Sequence, residues 1–132
     1  MRNYEDYQRK RKNPYILPDN LYKQTLYQIR DINRIHEELK EEISLKAVQL
    51  DGMPRGSKTG DSTAYIATKR AEYQRIYDAV MDAKKEIPEA LREGVWRKIM
   101  YNAPYPGLAD PSTYWRWKCK FIYLVAKNLN LA

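Results

Sequence analysis

Cysteine, histidine and long apolar runs are scarce in this chain of 132 residues, and each scarcity excludes a class of protein. The one cysteine, Cys119, cannot form an internal disulfide or a cysteine-based zinc site. The one histidine, His36, leaves no histidine cluster for a metal. The sequence also lacks an apolar run of about 18 residues, as a membrane helix needs, and it lacks the apolar core of a signal peptide. We therefore expect a soluble protein of a reducing, cytoplasmic compartment, with no metal site, no cofactor and no membrane partner.

Glycine is scarce as well, and three of the five glycines lie in the stretch GMPRGSKTGDST at positions 52–63. A Walker phosphate-binding loop laid on this stretch places Lys58 and Thr59 correctly, but it puts Ser57 where the second glycine must stand. That glycine permits the backbone conformations that turn several N–H groups toward one phosphate. The stretch also follows a helical pattern instead of the buried strand that precedes a Walker loop. We interpret it as a hinge, and we find no catalytic residues, so the chain is not expected to be an enzyme.

Positive charge exceeds negative charge, with 24 Lys and Arg against 17 Asp and Glu, which gives a net charge of +7. Such a surplus favours an anionic partner, nucleic acid first and an acidic protein or a membrane surface second. The excess lies at the two ends, with +3 over residues 1–18 and +4 over residues 88–132. Residues 1–17 contain the run RKRK at 9–12 and too few apolar side chains to bury. We expect them to form a basic flexible arm.

Apolar residues recur at every third or fourth position from residue 18 to residue 87, which predicts two long helices. The first is expected over 18–50 and the second from about 61 to 87, joined by a loop at 51–61 into a helical hairpin. The hairpin is longer than a small core needs, so it could serve as a dimerisation element. The expected N-cap residues are Asp19 or Asn20 for the first helix and Asp61 or Ser62 for the second.

Each of these two helices has a predicted buried face, which places His36 in a packing role. The first face consists of Tyr22, Leu26, Ile29, Ile32, His36, Leu39 and Ile43. The second consists of Ile66, Ala67, Ala71 or Tyr73, Ile76, Tyr77, Val80 and Met81.

Residues 88–132 are predicted to form a separate pair of helices. Proline at position 88 suits the first turn of a helix that buries Leu91, Val95 and Ile99 and ends at Asn102. The stretch APYPGLADPS then forms a loop, and Asp110 or Ser112 caps a last helix that runs to about residue 130. Because no segment alternates as a strand does, we predict an all-α fold: a long N-terminal helical hairpin followed by a C-terminal helix-turn-helix-like pair.

The last helix carries a core-facing set of side chains and, on a different face, a basic set. Between Arg116 and Lys127 there are four positive residues and no acidic residue. Ser112 and Thr113 add hydroxyl donors at the helix N-terminus, beside free N–H groups that favour a phosphate. A helix that enters a DNA major groove needs such donors near its start and lysines alongside for the backbone. The basic face comprises Thr113, Arg116, Lys120, Tyr123 and Lys127.

The helix before it adds Arg97 and Lys98, where the first helix of a helix-turn-helix crosses the phosphate backbone. The loop between the two helices, however, is longer than the usual turn of three or four residues. A cationic helix rich in tryptophan also suits a partner groove, a membrane surface or plain solvent exposure. The residues alone therefore leave DNA binding, protein interaction and surface contact open.

The segments GMPRG, DST, IPEALREGVWRKIMYNAPYP and STYWRWKCKFIYLVAKNLNL resemble phage and prophage regulators of the RinA and ArpU type, over about residues 50–132. The resemblance implies a C-terminal helix-turn-helix similar to the promoter-reading region of sigma factors. It also implies binding to double-stranded DNA and activation of late or packaging genes in a bacterial host cell. By position, the residues implied to face DNA or its phosphates are Ser112, Thr113, Tyr114, Arg116, Trp117, Lys118 and Lys120.

In the mechanism that we expect, Lys118, Lys120, Lys127, Arg97, Lys98 and the arm neutralise phosphates, while Thr113, Arg116 and Trp117 reach base edges. A small terminase subunit, which is a helical phage DNA-binding protein that assembles into rings, is a rival interpretation. A helical protein-interaction or assembly module is another. Contact with RNA polymerase and the choice among monomer, homodimer and higher homo-oligomer stay open.

Overall fold

The computed structural model describes residue 8, residues 13–49 and residues 59–132. Side chains are described at these positions except in the ranges 42–49 and 59–63. Within these ranges the chain forms five α-helices and no strand, so the predicted all-α class is confirmed. Residues 50–58, which hold most of the predicted loop and the near-Walker spacing, lie outside the described residues. The helices are α1 (Asp19–Arg30), α2 (Ile32–Gln49), α3 (Thr59–Lys85), α4 (Glu89–Tyr101) and α5 (Pro111–Asn128).

The single helix predicted over residues 18–50 is wrong in one respect, because the structure divides it at Asp31. Asp31 has φ −87° and ψ 0°, and its N–H donates both to the Tyr27 carbonyl at 3.0 Å and to the Gln28 carbonyl at 3.3 Å. The bonding thus tightens from i−4 toward i−3 for one residue. Helical bonding then resumes, since the Ile35 N–H donates to the Asp31 carbonyl at 3.1 Å. The apolar spacing continues across this point, so periodicity alone could not reveal the break.

Asp110 is confirmed as the N-cap of α5, but the N-caps predicted for α1 and α3 are wrong. Pro18 occupies the N-cap of α1, and Asp19 is already helical. Helix α3 begins at Thr59, so Asp61 and Ser62 lie inside its first turn. Several polar residues stand together at each of these two helix starts, so the sequence pattern does not single out the first helical residue.

Helices α2 and α3 pack against each other along part of their length. Glu38 pairs with Lys69 at 3.7 Å, and Arg34 donates to the Tyr73 hydroxyl at 3.5 Å. Because the contacted residue moves back along α3 as α2 advances, the two helices run antiparallel. His36 lies with its ring centroid 4.8 Å from that of Tyr77, which agrees with a packing role.

The start of α3 does not have the buried face that the sequence predicts. Ile66 is 44% exposed, and Ala67 and Ala71 are exposed too, whereas Ile76 and Val80 further along the helix are buried. The core therefore covers only the C-terminal half of α3.

The central element of the core is α5, which contacts α1, α3 and α4. Its inward side chains Tyr114, Phe121 and Val125 are 0% exposed. Two side-chain bonds to backbone carbonyls fasten its end to α3, because Arg75 donates to Leu129 at 3.2 Å and Asn128 donates to Ala79 at 3.0 Å. Arg30 ties α1 to α4 in the same way, with Nε 2.9 Å from the Ile99 carbonyl oxygen.

Part of the segment that was predicted to form the N-terminal arm, residues 1–17, packs against the core. Leu17 is 3% exposed and Asn13 is 7% exposed. The Gln8 side chain binds the Leu17 backbone at both its N–H and its carbonyl. The Tyr15 ring lies 5.4 Å from the Tyr123 ring of α5. Residues 1–7 and 9–12, with the basic run, lie outside the described residues.

Gly94 in the middle of α4 permits the close approach of α5 and of the loop before it. A Cβ atom at this position would lie 2.7 Å from Tyr114 Cε1 and 2.8 Å from Pro106 Cδ. Both distances are shorter than real contacts between carbon atoms, and Tyr114 has no free space to move into, since it is fully buried. The absence of a side chain at Gly94 is therefore a packing requirement.

We expect Gly94→Ala to lower the free energy of unfolding by about 1 kcal/mol or more, measured by chemical denaturation. Overpacking costs about 1–3 kcal/mol, which exceeds the gain of up to about 1 kcal/mol from replacing a helical glycine by alanine. The matched control is Gly107→Ala, because a Cβ there meets nothing within 4 Å. The control should change stability by no more than about 0.5 kcal/mol. Equal effects of the two substitutions would refute the packing argument.

Candidate nucleic-acid interface

The side of α5 that faces away from the core carries the predicted basic face. We call this set of side chains the basic stripe, and all of its members reach solvent at least in part. It extends over 14 residue steps, which at 1.5 Å per residue is about 21 Å. The stripe follows the 3.6-residue period on the side of α5 opposite Tyr114, Phe121 and Val125. Its members are Thr113, Arg116, Lys120, Tyr123 and Lys127.

The positive charges of the basic stripe are not neutralised within the described part of the chain. Helix α5 contains no Asp or Glu, and no carboxylate of the described residues lies within 4.0 Å of the charged groups of Arg116, Lys120 or Lys127. Other helices differ in this respect, since Arg34 pairs with Asp31 and Glu38. The stripe thus keeps three cations available to an external anion.

Aromatic rings hold two of these cations close to the helix. The Lys120 ammonium lies 4.8 Å from the centroid of the Trp117 ring, and that of Lys127 lies 5.4 Å from the centroid of the Tyr123 ring. At exposed sites such cation–π contacts contribute about 0.5–1 kcal/mol. They narrow the range of positions that each ammonium samples without removing its charge.

The N-terminus of α5 suits an anion less well than the stripe does. Asp110 is the N-cap, its carboxylate makes no capping hydrogen bond, and its carbonyl accepts from the N–H groups of Thr113 at 2.9 Å and Tyr114 at 3.3 Å. The carboxylate adds a negative charge at the positive end of the helix dipole. Ser112 is exposed and Thr113 is half-buried at the start of the stripe, so both hydroxyls are near the surface.

Two residues implied by the resemblance to face DNA point into the core instead. Tyr114 is 0% exposed, and its ring is stacked on that of Tyr105 with centroids 4.9 Å apart. Lys118 is 8% exposed. Tyr114 and Lys118 lie on the inward side of α5, as does Ile122, four residues after Lys118. Neither Tyr114 nor Lys118 therefore belongs to the stripe. The expectation that they contact DNA is therefore corrected. The spacing 114, 118, 121, 125 in the sequence is the signal that could have placed Lys118 inward.

The remaining predicted residues occupy intermediate positions. Trp117 is half-buried and packs against the core as well as under Lys120. On α4, Arg97 is exposed but has its Nε 3.8 Å from a Glu93 carboxylate oxygen, and the half-buried Lys98 lies over the Tyr105 ring at 5.4 Å. Nine residues separate the end of α4 from the start of α5. The helix-turn-helix arrangement stays a prediction, since its usual turn has three or four residues.

A groove beside the N-terminal half of α5 was not predicted from the sequence. It has a volume of about 490 Å³ and lies between residues 13–15 and the outer side of α5. Sequence reasoning missed it because residues 13–15 were assigned to a flexible arm. We call it the α5 groove. The described residues that line it are Asn13, Pro14, Tyr15, Trp115, Arg116, Trp117, Cys119 and Lys120.

A further cation, Lys84 at the end of α3, lies away from the stripe. Its ammonium is 4.0 Å from the centroid of the Trp96 ring, and Trp96 meets Phe121 edge to face at 6.3 Å. Burial lowers the pKa of Lys84 below its ordinary value, an effect that the charge of Glu93 opposes. Lys84 is therefore part of the packing between α3, α4 and α5, and we do not place it in the interface.

Comparison with known proteins identifies no relative of this chain. No protein-family model matches the chain, and neither the curated proteins nor the solved structures contain a significant match. Among the described residues, no three His, Cys, Asp or Glu side chains are grouped as metal ligands would be. None of the described helices has the length and apolar character required to cross a membrane. The resemblance to the RinA and ArpU type stays a prediction. We therefore infer the function from the residues of the chain itself.

We expect Tyr114→Phe to leave the free energy of unfolding unchanged or to raise it by up to about 1 kcal/mol. The Tyr114 hydroxyl is buried and has no hydrogen-bond partner within the described residues, so its removal relieves an unpaired polar group. Thermal and chemical denaturation measure the effect. If this substitution weakened binding to duplex DNA while stability held, Tyr114 would belong to the interface and its inward placement would be wrong.

Proposed function

We propose that this chain is a phage- or prophage-encoded protein that binds double-stranded DNA and regulates transcription, with the basic stripe of α5 on the duplex. The observation that carries the proposal is the set of unneutralised cations Arg116, Lys120 and Lys127 on one side of α5. Phosphate neutralisation by Lys and Arg supplies most of the affinity of non-specific DNA binding. The regulatory role depends on the resemblance of residues 50–132 alone.

The dimensions of the stripe suit a DNA groove. Its length of about 21 Å corresponds to roughly six base pairs at 3.4 Å each. Arg116 lies near the start of the helix, where a groove-binding helix presents side chains to base edges, and its guanidinium can donate two hydrogen bonds to one guanine. Lys120 and Lys127 then contact phosphates, and Thr113 supplies a hydroxyl at the same end as Arg116.

The central position of α5 limits how it can dock. Three helices cover its inward side, so only the stripe and its immediate flanks can enter a groove. Arg97 of α4 contributes less than Arg116, because Glu93 already offsets its charge. The duplex thus lies along the outer side of α5, and α4 contacts only the edge of the duplex.

In this proposal the antiparallel α2–α3 pair is the dimerisation element. At the start of α3, Tyr65 is 68% exposed and Ile66 is 44% exposed, which leaves apolar area for a second copy. A dimer would present two stripes to two half-sites, as dimeric DNA-binding regulators do. Mass in solution separates the proposal from a small terminase subunit: a monomer or dimer supports regulation, and a ring of many chains supports packaging.

We expect Lys120→Gln and Lys127→Gln each to weaken binding to random duplex DNA. Each should flatten the plot of log affinity against log salt by about 0.9, the contribution of one phosphate contact. Lys85→Gln is the matched control, because Lys85 is an exposed cation that pairs with Asp82 on α3. The control should change neither affinity nor slope. An unchanged slope in both stripe variants would refute the proposed interface.

We also expect Arg116→Ala to reduce sequence preference, at a cost of about 1–3 kcal/mol on the preferred site. The preferred duplex is first selected from a randomised pool by the unmodified protein, and affinities for it and for random duplex are then compared. Lys127→Ala, which removes a phosphate contact, should weaken both duplexes to the same extent. If Arg116→Ala also weakened both equally, Arg116 would be a phosphate contact and would not read bases.

A further inference from the structure

The α5 groove brings aromatic rings and cations together in one concave surface. Tyr15 lines it from the N-terminal segment, and Trp115 and Trp117 line it from α5. All three rings are only partly buried, so each keeps surface that faces the groove or the solvent. Three partly accessible aromatic residues thus line one groove, and Trp117 among them also packs against the core.

The charge of the groove selects the class of ligand. Arg116 and Lys120 are the cations among the described residues that line it, and none of those residues is acidic. Neither cation has a carboxylate partner among the described residues. A ligand complementary to this surface has a planar ring system that stacks on the aromatic side chains and a negative charge that pairs with Arg116 and Lys120.

A nucleotide has both features, and the groove has a suitable size. Its volume of about 490 Å³ falls in the range of small-ligand sites, roughly 300–1,000 Å³. Proteins that bind single-stranded nucleic acid combine the same two elements, aromatic rings that stack on bases and cations that follow the backbone. A base inside a duplex cannot enter such a groove, because it is stacked on its neighbours and paired.

We propose that the α5 groove binds one unstacked nucleobase of single-stranded DNA against Tyr15 and Trp115, with the adjoining phosphate on Arg116 and Lys120. The groove shares these two cations with the basic stripe, but base stacking in it does not depend on duplex binding. The site gives the chain an affinity for open or single-stranded DNA that the stripe alone does not provide.

The experiment compares two single strands of equal length with the full chain: a thymidylate dodecamer and a dodecamer of abasic sugar–phosphate units. Both carry the same phosphates, so their difference in affinity reports the bases alone. One stacked base should make the thymidylate strand bind about 5- to 150-fold more tightly. Quenching of tryptophan fluorescence by the thymidylate strand, and not by the abasic strand, should accompany it.

Two variants locate the site. Trp115→Leu and Tyr15→Leu should each reduce the preference for the thymidylate strand several-fold and leave the affinity for random duplex unchanged. Retained duplex binding and a retained unfolding transition show that a variant is folded. Lys127→Gln is the matched control, because Lys127 lies on the stripe but outside the groove. It should weaken duplex binding and keep the preference for the thymidylate strand.

The outcomes separate this proposal from the proposed function. Duplex binding with equal affinity for the two single strands overturns the groove site and leaves the duplex interface standing. A thymidylate preference that disappears in Trp115→Leu supports the groove site even if no duplex is bound. A preference that survives in both groove variants places base stacking elsewhere and overturns the assignment.

Discussion

The burial of one side of α5 determines the rest of this structure. Tyr114, Phe121 and Val125 are completely enclosed by α1, α3 and α4, and burial of each such side chain contributes about 1.5–3 kcal/mol. This packing fixes the rotation of α5 about its own axis. Once the rotation is fixed, the side chains that reach solvent are fixed too, and the basic stripe is the result.

The same packing explains why closely spaced residues of α5 have different roles. Lys118 and Lys120 are two positions apart, which on an α-helix is a rotation of about 200°. Lys118 is therefore buried with Ile122, whereas Lys120 reaches solvent over the Trp117 ring. Gly94 belongs to the same arrangement, since the lack of a side chain there lets Tyr114 lie against α4. The interface that we propose thus depends on core contacts that do not touch DNA.

The sequence predicted the helical class, four helical regions and the members of the stripe, since each depends on local periodicity. Arg116, Lys120 and Lys127 were placed on one face because they recur at three to four residues, and that spacing holds in any α-helix. Tyr114 and Lys118 were misplaced because their roles came from a resemblance by position and not from the periodicity. The break at Asp31 was missed because the apolar spacing of α1 continues into α2.

What the sequence determined by itself is the chemistry of α5: a helix without acidic residues, with Arg116, Lys120 and Lys127 on one face and apolar residues on another. Tertiary structure alone decided where residues 13–17 lie and that Tyr15 lines a groove with two tryptophans of α5. The physical reason is the range of the interactions. Helical periodicity arises from bonds between residues four apart, whereas the groove joins side chains about a hundred positions apart that only the packed core brings together.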